Sequence, residues 1–540
     1  MSRHSVCDFL PRRLRRPWPV LALVLALQFS ALLRGAALPT GPFDIRSFGA
    51  VPDGKTKCTE SIRSAIRAAS TQGGGTVRVP AGSFLTGPIH LLSNITLDLD
   101  AGAVLKFSTD FDDYLPMVPS RWEGVEVTNF SPLIYALHAT NIAIRGRGVL
   151  DGQGKAWWDQ WFKVKAASKD APRSKWEEEF LRRNFSGVQI SGNKFQPGAF
   201  LRPPFIQPYG CTNVLLEGVT IVDSPFWTVT PVYCDNVTIH AVTIRNPEAG
   251  PNTDGINPDS SRNVRISNCD ISVGDDCITL KSGRNESGRR VGRPLENVTI
   301  LNCVFAHGHG GVVIGSEMSG GVRNITIANC VFDGTERGIR LKSARGRGGV
   351  VEDLRASNLV MRGIRREAIL VTTFYEKSDP EPVSERTPIF RNLRFNGITG
   401  DAKVAGELTG LTEMPLKGIS FVDVQLDAES GFKITDAHHV SFHHVTINTM
   451  KGPALLANRA VALELNDFKN LKPQSKTPVV DLRDVKEVFI HGCVAAPGTP
   501  IFVRVLEKSA DELVLGSNNF KTAAQTVVRV KETPAPDESK

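Results

Sequence analysis

The chain has 540 residues, 64 Lys plus Arg against 56 Asp plus Glu, and a formal net charge of +8. Residues 1–37 hold six of the arginines and one aspartate, a net of +5, so the rest of the chain carries only +3. That excess is too small to argue for nucleic-acid binding. The length would allow several domains, but the chain beyond residue 40 repeats itself, and a repeat grows as one unit.

In chain order, the first element is a predicted secretory signal at residues 1–37. Arg12, Arg13, Arg15 and Arg16 form a basic start, Val20–Leu33 is a nearly uncharged apolar run, and Gly35-Ala36-Ala37 offers small residues for cleavage. The apolar run is shorter than the ~20 residues that a spanning helix needs. After removal of this signal no stable membrane association is expected, and the protein is read as secreted or periplasmic. A helix is predicted over Thr59–Ser70, with Ile62, Ala65, Ile66 and Ala69 on one face and Thr59 as its N-cap. It suits the open end of a solenoid.

The repeat is a polar residue, most often Asn, ahead of an alternating apolar stretch. It recurs at Asn94, Asn141, Asn213, Asn236, Asn263, Asn297, Asn324 and Asn392, and as Gly418-Ile419 and His439-Val440. From Asn213 to Asn324 the successive spacings are 23, 27, 34 and 27 residues. Alternation over a few residues, broken by Gly, Asn or Asp, is a strand signal. Units this short cannot bury an apolar face alone, whereas stacked copies can. The expected fold is therefore all-β: a parallel β-helix over residues 38–531 with rungs ~4.8 Å apart, followed by a charged, Pro-containing tail at 532–540 expected to fray. Propeller blades are longer, at ~40–45 residues.

Eight cysteines remain after Cys7 leaves with the signal. An even number in an exported protein invites disulfides, but Cys269, Cys303 and Cys330 each stand six residues after a repeat asparagine. Equal register predicts an inward stack of thiols. No CxxC pair suggests a metal.

Four polar clusters interrupt the repeat: Asn252-Thr253-Asp254-Gly255, Gly274-Asp275-Asp276-Cys277, Gly308-His309-Gly310 and Arg340-Leu341-Lys342. Asp275 and His309 each follow a repeat asparagine by 12 residues, which predicts the same angular position on adjacent coils. Asp254 precedes Asp275 by nearly one turn, and Arg340 and Lys342 share a strand face. A solvated ladder of charges is the plain alternative. Three crowded carboxylates would repel, however, and glycines flank every cluster. Carboxylates on either side of a bond hydrolyse glycosides when one keeps a proton and another activates water. Arg340 and Lys342 would hold a carboxylate on the substrate, which points to a uronic-acid polymer.

These four clusters resemble the signature motifs of glycoside hydrolase family 28, the polygalacturonases. The resemblance extends through Phe43–Gly54, Arg202-Pro203-Pro204, Ser224–Trp227, Gly315–Gly321 and Arg345–Gly349. It implies a right-handed parallel β-helix that cleaves α-1,4-galacturonosyl bonds by direct water attack, with inversion and without a metal or other cofactor. It further implies Asp275 as general acid, Asp254 and Asp276 as the pair activating water, and His309 in support of the acid. Arg340 and Lys342, with Asn252 and Tyr375, would bind substrate. The expected partner is an acidic polysaccharide, pectin or homogalacturonan, acted on by a monomer.

The chain departs from the family pattern at Leu341, where Ile is usual, and at Thr230, where close relatives often carry His. The second change bears on subsite preference. The long segment Gly154–Ala199 contains Trp157, Trp158, Trp161 and a charged stretch from Ser174 to Asn184 expected to be helical. Walling off one end of the groove with it would make the enzyme exo-acting. Rival readings are a calcium-dependent pectate lyase, a hydrolase of rhamnogalacturonan or other decorated pectin, and a non-catalytic polysaccharide-binding β-helix.

Overall fold

The computed structural model describes residues 42–167, 172, 174–184 and 201–531. The expected signal peptide and the tail at 532–540 lie outside them. From Phe43 onward the chain coils into a right-handed parallel β-helix. Every strand pairing among the described residues is parallel, apart from one hairpin, Val118–Trp122 with Val125–Asn129.

The register of the coils follows the sequence repeat. Val214 pairs with Val237, Val237 with Val264, Val264 with Val298, and Val298 with Ile325. These apolar positions alternate inward and are almost fully buried, while their neighbours face solvent. Short strands such as Thr220–Val222, Thr243–Arg245 and Asp270–Ser272 form another face. A third runs through Ile206, Val229, Ile256, Ile278, Val312, Ile339 and Ile369, and it carries the functional clusters.

The repeat asparagines have a conformational role. Asn94, Asn141, Asn213, Asn236, Asn263, Asn297, Asn324 and Asn392 all have φ between 54° and 64°. Asn tolerates this left-handed region because its short amide can bond locally. Gly418 and His439 take the same conformation, at φ 68° and 55°. The side chains also form a ladder. Asn141 donates to Asn94 at 2.9 Å, Asn213 to Asn141 at 2.8 Å, Asn236 to Asn213 at 2.7 Å, Asn297 to Asn263 at 3.1 Å and Asn324 to Asn297 at 3.0 Å. One rung differs, where Asn263 donates to Asp235 at 2.8 Å.

All eight cysteines of the described residues are free and buried. Cys269, Cys303 and Cys330 form the expected stack, and thiol hydrogen bonds link Cys303 to both neighbours. The bond to Cys269 and burial outweigh the opposing bond to Cys330 and push the Cys303 thiol up to about 12, which makes it unreactive. In the later coils the interior stack is aromatic: Phe395 lies 5.1 Å from Phe421, which lies 4.8 Å from Phe442.

A first helix, α1 (Thr59–Thr71), buries Ile62, Ala65, Ile66 and Ala69. Thr59 is its first residue rather than its N-cap, which is Cys58. The Thr59 hydroxyl is drawn away to accept from the Gly87 N–H at 2.7 Å. Within the long Gly154–Ala199 segment stand α2 (Lys155–Ala166) and α3 (Lys175–Asn184). Phe180 of α3 packs with Val125, Val127 and Trp122 of the hairpin.

Candidate active site

The third face brings the four clusters together because its rungs are in register. Asp276 pairs with Gly310, which sets Asp275 beside His309, and Val313 pairs with Arg340. Ile256 bridges Ile278, so Asp254 stands level with Asp276 rather than with Asp275. The backbone hydrogen bonds agree: the Gly255 N–H donates to the Asp276 carbonyl at 3.0 Å, and the His309 N–H to that of Asp275 at 2.8 Å.

One oxygen from each of Asp254, Asp275 and Asp276 lies within 4.8 Å of the others. These oxygens are closer together than the ~6.5–9.5 Å between acid and base carboxyl groups that leaves room for water in inversion. Side chains on adjacent rungs start only ~4.8 Å apart, and surrounding cations let them stay close. Lys342 Nζ donates to Asp276 Oδ2 at 2.8 Å, with Arg340 at 3.6 Å from Oδ1. Lys281 Nζ lies 4.0 Å from Asp254 Oδ2. Three oxygens so disposed would also suit a cation, but the two lysines and the arginine already supply the positive charge.

The three carboxylates differ in surroundings. Burial and the nearby Asp275 carboxylate push Asp254 well above the ordinary aspartate range; it accepts from Asn257 Nδ2 at 3.1 Å. Asp276 is equally buried, yet Lys342 and Arg340 outweigh that burial and hold it below the ordinary range. Asp275 is the most open, its side chain 19 % exposed against 4 % and 2 % for the other two. Its Oδ1 lies 3.0 Å from His309 Nδ1 and its Oδ2 accepts from Asn252 Nδ2 at 3.4 Å. The bond to Asp275 raises the His309 imidazole above its usual value. Tyr375 lies over Arg340 and Lys342, at 5.6 and 5.3 Å from its ring centroid.

The glycines have a different meaning at different positions. Gly308 has φ +152°, and a Cβ there would stand 2.6 Å from the Asp275 carbonyl oxygen. At Gly311 a Cβ would meet the Phe332 ring at 2.2 Å, so that glycine serves packing rather than ligand approach.

All eight expected site residues line one cleft of about 490 Å³. Thr230 does not: it is buried at 1 % exposure, three residues after Trp227, which faces the cleft. Its departure from the family pattern therefore does not act by direct contact in the cleft. Leu341 is fully buried, as its strand position implies.

Residues 191–452 match the family described as glycosyl hydrolases family 28. A probable polygalacturonase of Vitis vinifera is 30 % identical over 70 % of this chain and 73 % of its own length. An endo-polygalacturonase of Pectobacterium carotovorum subsp. carotovorum is 30 % identical over 77 % of this chain and 94 % of its own. This chain belongs to glycosyl hydrolases family 28. A crystal structure of a hyperthermoactive exopolygalacturonase from Thermotoga maritima matches this family 28 fold with a TM-score of 0.67. It is 36 % identical and covers 79 % of this chain and 96 % of its own. Residues 43–146 match a second family, described as rhamnogalacturonase A/epimerase, pectate lyase-like, ahead of all eight expected site residues.

The family 28 cleft also contains charged residues that the sequence reading did not single out. Lys281 donates to Glu317 at 2.8 Å and lies 4.3 Å from the Trp227 ring centroid. Glu317 is buried, but Lys281, Arg347 and Arg284 hold it ionised. The available signal was Lys281 directly following the apolar run of a five-residue buried strand, Asp276–Leu280, since a lysine at such a place needs a partner. Glu123, at the hairpin turn, and Arg284, paired at 2.7 Å, come from segments 161 residues apart. No local pattern connects them.

Proposed function

We propose that the chain hydrolyses α-1,4-galacturonosyl linkages of pectin or polygalacturonate, and that it acts from a chain end. The observation that carries this reading is the cluster of Asp254, Asp275 and Asp276 beside His309, with Arg340 and Lys342 at its edge. Asp275, the carboxyl most open to the cleft, donates the proton to the leaving oxygen. Asp276, kept ionised by Lys342 and Arg340, deprotonates the attacking water, which Asp254 helps to hold. His309 supports the acid through its 3.0 Å contact. Arg340 and Lys342 bind the substrate carboxylate, with Tyr375 and Asn252 alongside. Inversion rests on the family resemblance.

Action from a chain end draws on the hairpin Val118–Asn129 and the helices behind it. Arg121 ties the hairpin to the coils through an ion pair with Asp259 at 3.0 Å, each side chain 1 % exposed. Its turn carries Glu123 into the cleft, where Arg284 holds it. A similar protein, 36 % identical, is an exopolygalacturonase. The N-terminal match to the rhamnogalacturonase-like family favours a second reading, a decorated or rhamnose-containing pectin. The enzyme is exported and works as a monomer in this proposal. No helix of the described residues is long and apolar enough to cross a membrane.

Product analysis on polygalacturonic acid tests the proposal. Release of small product from the outset supports chain-end action, and a ladder of oligomers would replace it with internal cleavage. No release from polygalacturonic acid, with release from a rhamnose-containing pectin, would transfer the reading to the second substrate.

A further inference from the structure

Arg202 is 1 % exposed and has no carboxylate among the described residues at salt-bridge distance. A buried cation without an ion partner is costly unless other groups replace its hydration. Here its Nη1 donates to the carbonyls of Pro225 and Pro251, and Nη2 donates to Asn252 Oδ1 at 2.8 Å. The guanidinium plane is sandwiched between two rings, Trp161 of α2 at 4.6 Å and Phe226 at 5.0 Å. Burial disfavours its charge, and Glu123, Asp254 and Asp275, beyond salt-bridge distance, partly offset that cost.

Asn252 is the link to the reacting groups. A carboxamide has one accepting end and one donating end. With Oδ1 engaged by Arg202, the Nδ2 end must face Asp275 Oδ2, 3.4 Å away. Without Arg202 the amide is free to turn, and its oxygen would then confront a carboxylate.

We propose that Arg202 is a positioning residue for catalysis: it fixes the Asn252 amide against Asp275, and Trp161 of the inserted helix holds Arg202 in place. The described residues of the long segment after Gly154 thereby contribute to the chemistry without lining the cleft itself. This rests on the hydrolytic reading of the carboxylate cluster. The charges facing that cluster are Lys281, Arg340, Lys342 and His309, with Glu317 behind Lys281 and Glu123 across the cleft. Arg202 adds a further positive charge on the Asn252 side, so its loss should let the cluster keep its acid proton to higher pH.

The test compares Arg202→Met, Trp161→Leu and Trp161→Phe with the wild type on polygalacturonic acid, with thermal unfolding followed for each. Wild-type turnover comes first, because its absence would count against the hydrolytic reading and not against this proposal. Given turnover, Arg202→Met should lower kcat about tenfold or more, with KM changed less than about twofold. The alkaline limb of its kcat/KM profile should move up by roughly half a pH unit or more. Trp161→Leu should move both in the same direction by less, and Trp161→Phe, which keeps a ring over the guanidinium, should restore them. A folded Arg202→Met with an unmoved pH profile overturns the proposal. If that variant does not fold, the tryptophan pair decides: equal activity and equal pH profiles for Trp161→Leu and Trp161→Phe overturn it as well.

Discussion

Lys342 donates a hydrogen bond to Asp276 at 2.8 Å, so a cation expected to meet the substrate carboxylate is already paired within the carboxylate cluster. The two side chains are 7 % and 2 % exposed, which makes the pair a buried one. Removing one partner of such a pair leaves the other as an uncompensated charge, at a cost of ~3–5 kcal/mol. In the proposed mechanism Lys342 therefore acts on the water-activating carboxylate as well as on substrate binding.

Lys342→Met should lower kcat and not only raise KM. Asp276 lies below the ordinary aspartate range because Lys342 and Arg340 outweigh its burial. Without Lys342 it takes up a proton at higher pH, so the acid limb of kcat/KM should move upward. Steady-state kinetics between pH 3 and 8, a range of about five units around the ordinary carboxylate value near 4, check this. A pure KM effect would show that Lys342 only binds.

Asp275→Asn should abolish hydrolysis, with a loss of roughly 10²–10⁴-fold or more for a missing proton donor. The fold should be retained, because the amide is nearly isosteric and the side chain is the most open of the three. Turnover and thermal unfolding measured on one preparation separate the two effects. Near-normal turnover would remove Asp275 from its assigned role.

Asp254→Asn should inactivate the enzyme yet raise its thermal stability at pH 7–8, by roughly 2 °C or more. Burial and Asp275 raise the folded pKa of Asp254 above its unfolded value of about 3.9. A group raised in this way contributes stability that is complete below the unfolded value and lost as pH rises through the folded one. His309 adds to the same trend, with loss beginning above its unfolded value of about 6.5. Asp276 has the opposite sign: its contribution is present above about 3.9 and lost as pH falls through its lower folded value. The wild type should thus unfold at a higher temperature near pH 5 than near pH 8, two values about one unit above and four units above the ordinary aspartate pKa, and the asparagine variant should narrow that difference. No narrowing would mean that Asp254 is not a source of the strain.

Chelation by EDTA should leave hydrolysis unchanged, and the product should show no ultraviolet absorbance of an unsaturated end. Lys281, Lys342 and Arg340 supply charge that a divalent ion would bring to the three carboxylates, and they would repel one. Loss of activity on chelation with recovery on added calcium would favour elimination.

The first anomer released should be β, as inversion at an α bond requires. Proton NMR during early turnover reads this directly. The carboxylate oxygens lying within 4.8 Å of one another make the measurement informative, since close spacing of ~5–5.5 Å between carboxyl groups is typical of retention. An α product would assign one of the three carboxylates as a nucleophile.

Much of the coil architecture was legible because a solenoid repeats a local rule. Asn213, Asn236, Asn263, Asn297 and Asn324 mark a left-handed turn in each coil, so counting from them gives the register of everything between. That counting paired Asp275 with His309 and stacked Cys269, Cys303 and Cys330. It placed Asp254 on the neighbouring rung but did not say that it stands level with Asp276, because coil length varies. The N-cap at Thr59 failed for another reason: it depends on which way one side chain turns, and only its packed neighbours decide that.

The sequence by itself determined the rungs, the face on which the four clusters stand and the types of group offered there, since alternation and turn residues act over a few neighbours. Only the tertiary structure decided which carboxylate is ionised and which is driven to keep its proton. Burial and the positions of Lys281, Lys342 and Arg340 set that difference, and electrostatic energy depends on distance through space. It also decided that α2, far from the motifs in every local sense, stacks Trp161 on Arg202 and so stands two hydrogen bonds from Asp275.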